Sequence, residues 1–60
     1  MKRTVTFGAI LESGHWEDFC IKYGINEWIL NEGIAEENDT IAISLEDAED
    51  WGIIYYDLCN

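Results

Sequence analysis

The spacing of large apolar residues near the middle of the chain constrains the fold more than any other feature of this sequence. Four of them recur at intervals of three and four positions: Trp16, Phe19, Cys20 and Tyr23. This spacing places all four on one face of a helix. Gly24 follows directly, and glycine often ends a helix because it enters the left-handed conformation without a Cβ clash. The pattern predicts a helix that is capped by Ser13, ends at Gly24 and buries this aromatic stripe.

Three glycine–isoleucine pairs divide the rest of the chain in the same way. The pairs are Gly24-Ile25, Gly33-Ile34 and Gly52-Ile53. In a common helix ending, the glycine turns the backbone and the next apolar residue folds back onto the helix. The pairs therefore predict two further, shorter helices. One covers residues 27–32 with Asn26 as its cap, and the other covers residues 45–51 with Ser44 as its cap.

Three segments have the alternating pattern of β-strands, namely residues 2–11, 40–45 and 53–59. The first places Val5, Phe7, Ala9 and Leu11 on one face, and its Gly8 indicates a bulge or a close approach. The predicted fold class is α+β, with the element order β-α-α-β-α-β. A three-stranded, mainly antiparallel sheet packs against the amphipathic helix and the two short helices.

Length and composition predict a single compact acidic domain over residues 1–60. Hydrophobic residues make up 48% of the chain, which is typical of a globular protein and not of a disordered one. Residues 4–11 are too short and too polar for the apolar core of a secretory signal, and no segment approaches the ~20 apolar residues of a membrane span. Since the chain also begins with Met1, we expect a cytoplasmic protein.

The sequence contains no motif that indicates catalysis or a cofactor. His15 is the single histidine, and Cys20 follows five positions later, so the two side chains do not share a helix face. There is no C-x-x-C or H-x-x-x-H spacing of the kind found in zinc sites. A domain of this size also leaves little room for a cleft that raises the pKa of a catalytic carboxyl group. We therefore expect no enzyme activity, no cofactor and no metal site.

The net negative charge arises entirely from residues 23–60. That part of the chain holds ten Asp and Glu residues and no Lys or Arg, and the formal net charge of the chain is −10. Contact with nucleic-acid phosphates or with anionic lipids needs a basic surface. We therefore expect neither direct nucleic-acid binding nor membrane binding.

Two interpretations of this charge remain open. Like charges keep a small protein dispersed, so the acids can serve solubility alone. However, a net charge of −10 exceeds the magnitude of about 2–8 that suits solubility. Carboxylates next to aromatic residues supply both electrostatic steering and binding anchors for a basic protein. The predicted partner-binding residues are Glu36, Glu37, Asp39, Glu46, Asp47, Glu49, Asp50, Trp28, Trp51 and Tyr55.

In size and charge the chain resembles the small acidic proteins with which phages and mobile elements occupy the nucleic-acid-binding surfaces of host enzymes. The resemblance is one of composition, so no binding residue is carried over from it. It implies an inhibitor of a basic or nucleic-acid-binding protein that acts as a nucleic-acid mimic. The alternative is a structural or accessory subunit that assembles through a sheet edge or an exposed aromatic patch, for example as a homodimer, with the charge serving only solubility.

Overall fold

Two antiparallel strands and three helices make up the described part of the chain, residues 1–53 of a computed structural model. The elements in chain order are β1 (Lys2–Thr6), α1 (Phe7–Glu12), α2 (Trp16–Tyr23), β2 (Thr40–Ser44) and α3 (Leu45–Asp50). The fold class is therefore α+β, as predicted. Within residues 1–53, no helix has the length and hydropathy needed to cross a membrane.

The sheet pairs β1 with β2 over their whole length. Lys2 lies opposite Ser44 and Thr6 lies opposite Thr40, which confirms the antiparallel arrangement. In the described residues the sheet has two strands and not the predicted three. The predicted third strand lies outside the described residues except for Ile53, which is buried but not part of a strand. The predicted order β-α-α-β-α-β is therefore not confirmed.

Helix α1 replaces the second half of the first predicted strand. Thr6 ends β1 and caps α1, because its hydroxyl oxygen accepts a hydrogen bond from the backbone N–H of Ala9 at 3.0 Å. The helix buries Phe7 and Ile10, three positions apart, and leaves Leu11 42% exposed. A short apolar run fits both a strand and a helix, and here the threonine cap favours the helix.

Helix α2 confirms the predicted helix with its aromatic stripe. It spans Trp16–Tyr23, and its inner face buries Phe19 and Cys20. It ends at Gly24, which has a left-handed φ of 67°. Ser13, the predicted N-cap, instead ends α1, and its hydroxyl group donates to the carbonyl oxygen of Ile10 in that helix. The helix is therefore shorter at its start than the sequence predicts.

The segment between α2 and β2 differs from the prediction. Residues 27–32 form consecutive turns and not a helix. Asn26 still caps the first turn, because its side-chain oxygen accepts a hydrogen bond from the N–H of Trp28 at 2.9 Å. Ile29 and Leu30 pack against the core, whereas Trp28 is 55% exposed. A helix this short depends on packing of one apolar face, and three consecutive apolar residues do not form such a face.

All three glycine–isoleucine pairs make the same backbone turn. Gly24, Gly33 and Gly52 have φ values of 67°, 76° and 66°, so the predicted left-handed conformation is confirmed at each. In each pair the isoleucine N–H donates to a carbonyl oxygen five residues earlier, at 2.9 to 3.0 Å. The side chains differ, because Ile53 is buried and Ile34 is 70% exposed. The motif thus ends α2 and α3, and it also turns the chain where no helix precedes it.

One hydrophobic core joins all five elements. Its buried residues are Val5, Phe7, Ile10, Phe19, Cys20, Ile43, Ala48 and Ile53. The ring centroid of Phe19 lies 5.2 Å from that of Tyr23 and 5.5 Å from that of Trp16. Aromatic pairs at such distances add about 0.5–1.5 kcal/mol to the stabilisation from burial alone. The aromatic stripe of α2 is therefore the centre of the fold.

Candidate functional site

Six of the seven predicted partner-binding carboxylates lie on the surface, in two separate groups. The group that precedes β2, which we call the acidic turn, consists of Glu36, Glu37 and Asp39. The group that follows β2 lies on α3 and consists of Glu46, Glu49 and Asp50. Since a five-residue strand spans roughly 15 Å, the two groups start from opposite ends of the sheet. The acidic turn thus lies before β2 and the α3 group lies after it.

The acidic turn is held against the start of α1 by backbone hydrogen bonds. The N–H groups of Phe7 and Gly8 donate to the carbonyl oxygens of Asp39 and Glu37 at 3.0 and 2.9 Å. The carboxylate of Asp39 closes the turn by accepting from the N–H of Glu36 at 2.9 Å. A Cβ atom on Gly8 would lie 3.3 Å from Glu37, which confirms the close approach predicted at this glycine. The turn therefore has a defined position beside α1.

Asp47, the seventh predicted carboxylate, lies in the interior and is 4% exposed. Its Oδ1 lies 2.6 Å from the Nζ of Lys22, and its Oδ2 accepts a hydrogen bond from the hydroxyl of Tyr23 at 2.7 Å. The same tyrosine oxygen accepts from the N–H of Ser44 at 3.0 Å, and the Ser44 hydroxyl caps α3 by accepting from the N–H of Asp47. This network joins the end of α2 to the start of α3, so Asp47 does not belong to the acidic surface.

The carboxylate of Asp47 and the ammonium group of Lys22 each favour the charged form of the other. The hydrogen bond from Lys22, followed by the one from Tyr23, lowers the pKa of Asp47 below that of an ordinary aspartate. The hydrogen bond between Lys22 and Asp47 also raises the pKa of Lys22. Both groups are therefore ionised at neutral pH. Since the Lys22 side chain is 59% exposed, water screens the pair from one side.

Trp51, predicted as an aromatic anchor for a partner, packs against the core. It is half-buried, and its ring lies edge-on to Phe19 with the centroids 6.4 Å apart. His15 stacks on it at 6.2 Å. Tyr55, the other predicted anchor near the end of the chain, lies outside the described residues. Of the predicted aromatic anchors that are described, Trp28 is the one with an exposed side chain.

Trp28 lies at an open groove of about 560 Å³, which we call the acidic groove. Its apolar lining consists of Leu11, Trp16, Trp28, Leu30 and Ala35. Its carboxylates are Glu17, Glu27, Glu36 and Glu37. The volume lies within the range of about 300–1,000 Å³ that is common for binding sites. The acidic groove thus brings together three predicted residues, Trp28, Glu36 and Glu37, and leaves the carboxylates of α3 outside.

Two hydrogen bonds hold one wall of the acidic groove in place. The indole N–H of Trp16 donates to the backbone carbonyl of Glu27 at 3.1 Å, which ties the chain after α2 back to the start of that helix. The Asn26 side chain then fixes the backbone of Trp28, as described above. The acidic turn contributes Glu36 and Glu37 from its position on α1. The groove is therefore built by contacts between segments that are distant in sequence.

Trp28 also lines a second hollow of about 420 Å³, which we call the side hollow. The side hollow shares Glu17, Glu27 and Trp28 with the acidic groove and adds Cys20 and Ile21, among others. Burial, followed by the negative charge of Glu27, raises the pKa of the Cys20 thiol. A thiol with a raised pKa is a poor nucleophile. The three shared residues therefore form an acidic, aromatic border between two hollows.

Among residues 1–53, the acidic groove is lined by four carboxylates and by no Lys or Arg. The three basic residues of the chain are Lys2, Arg3 and Lys22. In the described part of the chain, none of them lines either hollow. Lys2 lies opposite Ser44 at the α3 end of the sheet, and Lys22 is bound to Asp47. Apolar walls around these carboxylates strengthen the negative potential in the groove.

Eight lining residues of the acidic groove were not predicted as site residues, namely Leu11, Trp16, Glu17, Glu27, Leu30, Asn31, Gly33 and Ala35. Leu11 and Trp16 have apolar side chains at positions that fit the predicted core. Glu27 carries a sequence signal, because it directly precedes Trp28 in a run of apolar residues that a short helix cannot bury completely. Glu27 next to the exposed Trp28 is therefore the sequence signal that could have indicated this site.

Other chemistry has less support in the structure. The Nδ1 of His15 lies 3.3 Å from the Oδ2 of Asp18 on the exposed side of α2. Within residues 1–53, no group of three or more His, Cys, Asp or Glu side chains is arranged to hold a metal ion. No protein-family model, curated protein or solved structure matches this chain. The acidic groove is therefore the candidate site on its own geometry, charge and exposed tryptophan.

Proposed function

We propose that this protein is a small acidic binding module that docks onto a basic protein through the acidic groove. One observation carries the proposal: Trp28, 55% exposed, lines the acidic groove together with four carboxylates and with no Lys or Arg among the described lining residues. Tryptophan is enriched among the residues that dominate binding energy. Unbalanced charge steers an oppositely charged partner and increases its association rate. The acidic groove supplies both contributions.

The partner class that we propose is a nucleic-acid-binding protein, which the chain inhibits by acting as a nucleic-acid mimic. Such proteins present Lys and Arg side chains to phosphate groups. The carboxylates of the acidic groove can engage these side chains in place of phosphates. The exposed carboxylates on α3 lie outside the acidic groove and add long-range attraction for a basic partner. A partner that uses the same basic surface for nucleic acid cannot bind both at once.

Competition with nucleic acid tests this proposal. The chain is immobilised, exposed to a cell lysate at low salt, and then washed with duplex DNA or RNA at constant salt before a salt gradient. We expect nucleic acid to release basic proteins, and we expect a purified released protein to lose nucleic-acid binding as the chain is added. The matched variant Glu27→Gln/Glu36→Gln/Glu37→Gln should retain little of the same protein. Equal retention by the variant, or failure of nucleic acid to release the protein, contradicts the proposal.

A second candidate function, self-assembly through an apolar patch, is favoured by one observation. Ile21 is 81% exposed and lines the side hollow together with Trp28. Association through apolar surface persists as salt rises, whereas an interface between opposite charges weakens. Sedimentation of the wild type and of Ile21→Ser at low and high salt separates the two functions. A salt-resistant dimer that the substitution abolishes supports assembly, and a monomer at both salt concentrations excludes it.

A further inference from the structure

We infer that the acidic groove recognises arginine in preference to lysine. Its ligand is an arginine side chain of the basic partner, which lies against the indole of Trp28 with its guanidinium group beside Glu17 and Glu27. This inference rests on the proposed function and narrows it from a basic partner to a specific side chain. It follows from the shared border of the acidic groove and the side hollow.

The indole of Trp28 provides the surface on which the partner's arginine side chain lies. The ring lines both hollows and is 55% exposed, so it is open to a ligand from solvent. Its backbone is fixed by the hydrogen bond to Asn26, which limits the entropy lost on binding. A cation within about 6 Å of an indole centroid is attracted by the ring, and arginine is the more frequent partner in proteins.

Two carboxylates accompany this indole in both hollows. Glu17 lies in the first turn of α2, and Glu27 has its carbonyl held by the indole of Trp16. Both side chains therefore project from backbone that is fixed by hydrogen bonds. A carboxylate accepts two parallel hydrogen bonds from a guanidinium group, and these charge-assisted pairs are roughly twice as strong as neutral ones. The border thus offers a ring and two charged acceptors to one planar cation.

The apolar walls favour arginine over lysine. Leu11, Trp16 and Leu30 line the acidic groove beside the carboxylates, so a bound cation loses part of its hydration. A lysine ammonium group is a compact and strongly hydrated charge, whereas a guanidinium group is planar, more weakly hydrated and able to stack on a ring. The arginine side chain therefore loses less hydration free energy when it enters the groove. It also gains stacking on the indole and paired hydrogen bonds to the carboxylates.

Two end-capped peptides of equal length and charge test the preference. One alternates arginine with glycine, the other alternates lysine with glycine, and each is titrated into the full chain by calorimetry at about 0.15 M salt. We expect the arginine peptide to bind about tenfold more tightly. Trp28→Ala should reduce the difference to about twofold or less. The control variant Glu46→Gln/Glu49→Gln, which removes charge from α3 alone, should retain the full preference.

Each result of the titrations has a definite meaning. Equal binding of the two peptides to the wild type overturns the preference for arginine and leaves the proposal of a basic partner intact. A preference that survives Trp28→Ala overturns the assignment to this indole. Failure of both peptides to bind even at low salt contradicts both the inference and docking driven by charge. Thermal unfolding of the Trp28→Ala variant confirms that the exposed substitution leaves the fold intact.

Discussion

The indole Nε1 of Trp16 lies 3.1 Å from the backbone carbonyl oxygen of Glu27, and this hydrogen bond links the hydrophobic core to the acidic groove. The ring of Trp16 packs against Phe19, the fully buried residue at the centre of the core. Its N–H group holds the segment that carries Glu27 and Trp28. One side chain therefore contributes to stability and also positions the candidate site.

Replacing Trp16 by Phe keeps an aromatic ring but removes this hydrogen bond. We expect the free energy of unfolding to fall by about 1–2 kcal/mol, from the lost hydrogen bond and the smaller ring. We also expect faster hydrogen exchange at the N–H groups of Ile34 and Ala35, which donate within the same segment. Trp51→Phe is the control, since Trp51 does not line the groove. Equal exchange in both variants would show that Trp16 does not hold this wall.

Replacing Phe19 by Ala should unfold the protein or nearly so. The side chain is fully buried, and truncation of a buried aromatic residue costs about 3–5 kcal/mol. The stability of a domain this small is of the same order. Ile21→Ala on the same helix is the matched control, because Ile21 is 81% exposed and should change stability by less than about 0.5 kcal/mol. Thermal unfolding followed by circular dichroism measures both, and equal midpoints would contradict the assigned face of α2.

Replacing Gly24 by Ala should cost on the order of 1 kcal/mol. Its φ is 67°, and among residues 1–53, apart from its two chain neighbours, no atom lies within 4 Å of the position that a Cβ would take. The loss is therefore conformational and not steric. Gly24→Asn should cost less, because asparagine adopts the left-handed conformation more readily. Urea unfolding measures both variants, and an alanine variant as stable as the wild type would rule out strain at this position.

Asp47 should make the fold sensitive to acid. Its pKa is lower in the folded protein than in the unfolded chain. Its contribution to stability is therefore complete above the unfolded pKa of about 4 and is lost as the pH falls through the folded pKa. Asp47→Asn should therefore reduce stability at pH 7 by about 1–3 kcal/mol. It should also flatten the loss of stability below about pH 5.

Glu46→Gln is the control for Asp47, since the neighbouring side chain is exposed. Urea unfolding at several pH values should give a nearly unchanged profile for Glu46→Gln and a flatter one for Asp47→Asn. Parallel profiles for the wild type and Asp47→Asn would show that this carboxylate does not control acid stability. The contrast also separates a buried structural charge from the solvent-exposed acidic surface.

Helix α2 and the glycine turns can be predicted from the sequence because their signals are local. The positions Trp16, Phe19 and Tyr23 recur with the helical period, and Gly24 follows directly with a positive φ. The Ser44 cap is local for the same reason, because it acts on a backbone group three residues away. Each of these features depends on residues within a few positions of one another, so the local sequence is enough to predict it.

The acidic groove could not be predicted in the same way because it depends on long-range contacts. Glu27 and Glu37 lie in one groove because Trp16 binds the chain after α2 and Gly8 allows the acidic turn to pack on α1. Asp47 matches its exposed neighbours in sequence, and its burial follows from partners on another helix. The strand predicted over residues 2–11 is confirmed only up to Thr6, because the apolar spacing of residues 7–11 fits a helix as well as a strand.

In the proposed binding, the carboxylates on α3 and those of the acidic groove affect the kinetics differently. Charges on α3 lie outside the groove and act on a partner from a distance, so their removal should slow association at low salt and have little effect at about 0.15 M salt. In the proposed complex, the charges of the acidic groove contact the partner. Their removal should slow association and also accelerate dissociation.

The most direct measurement compares three proteins in binding to the basic protein that nucleic acid displaces. The proteins are the wild type, the groove variant Glu27→Gln/Glu36→Gln/Glu37→Gln and the helix variant Glu46→Gln/Glu49→Gln/Asp50→Asn, each variant lacking three charges. Association and dissociation rates are recorded at low and at about 0.15 M salt. We predict that dissociation accelerates tenfold or more, about 1.4 kcal/mol, in the groove variant alone. Equal dissociation rates for the two variants would contradict the acidic groove as the binding site.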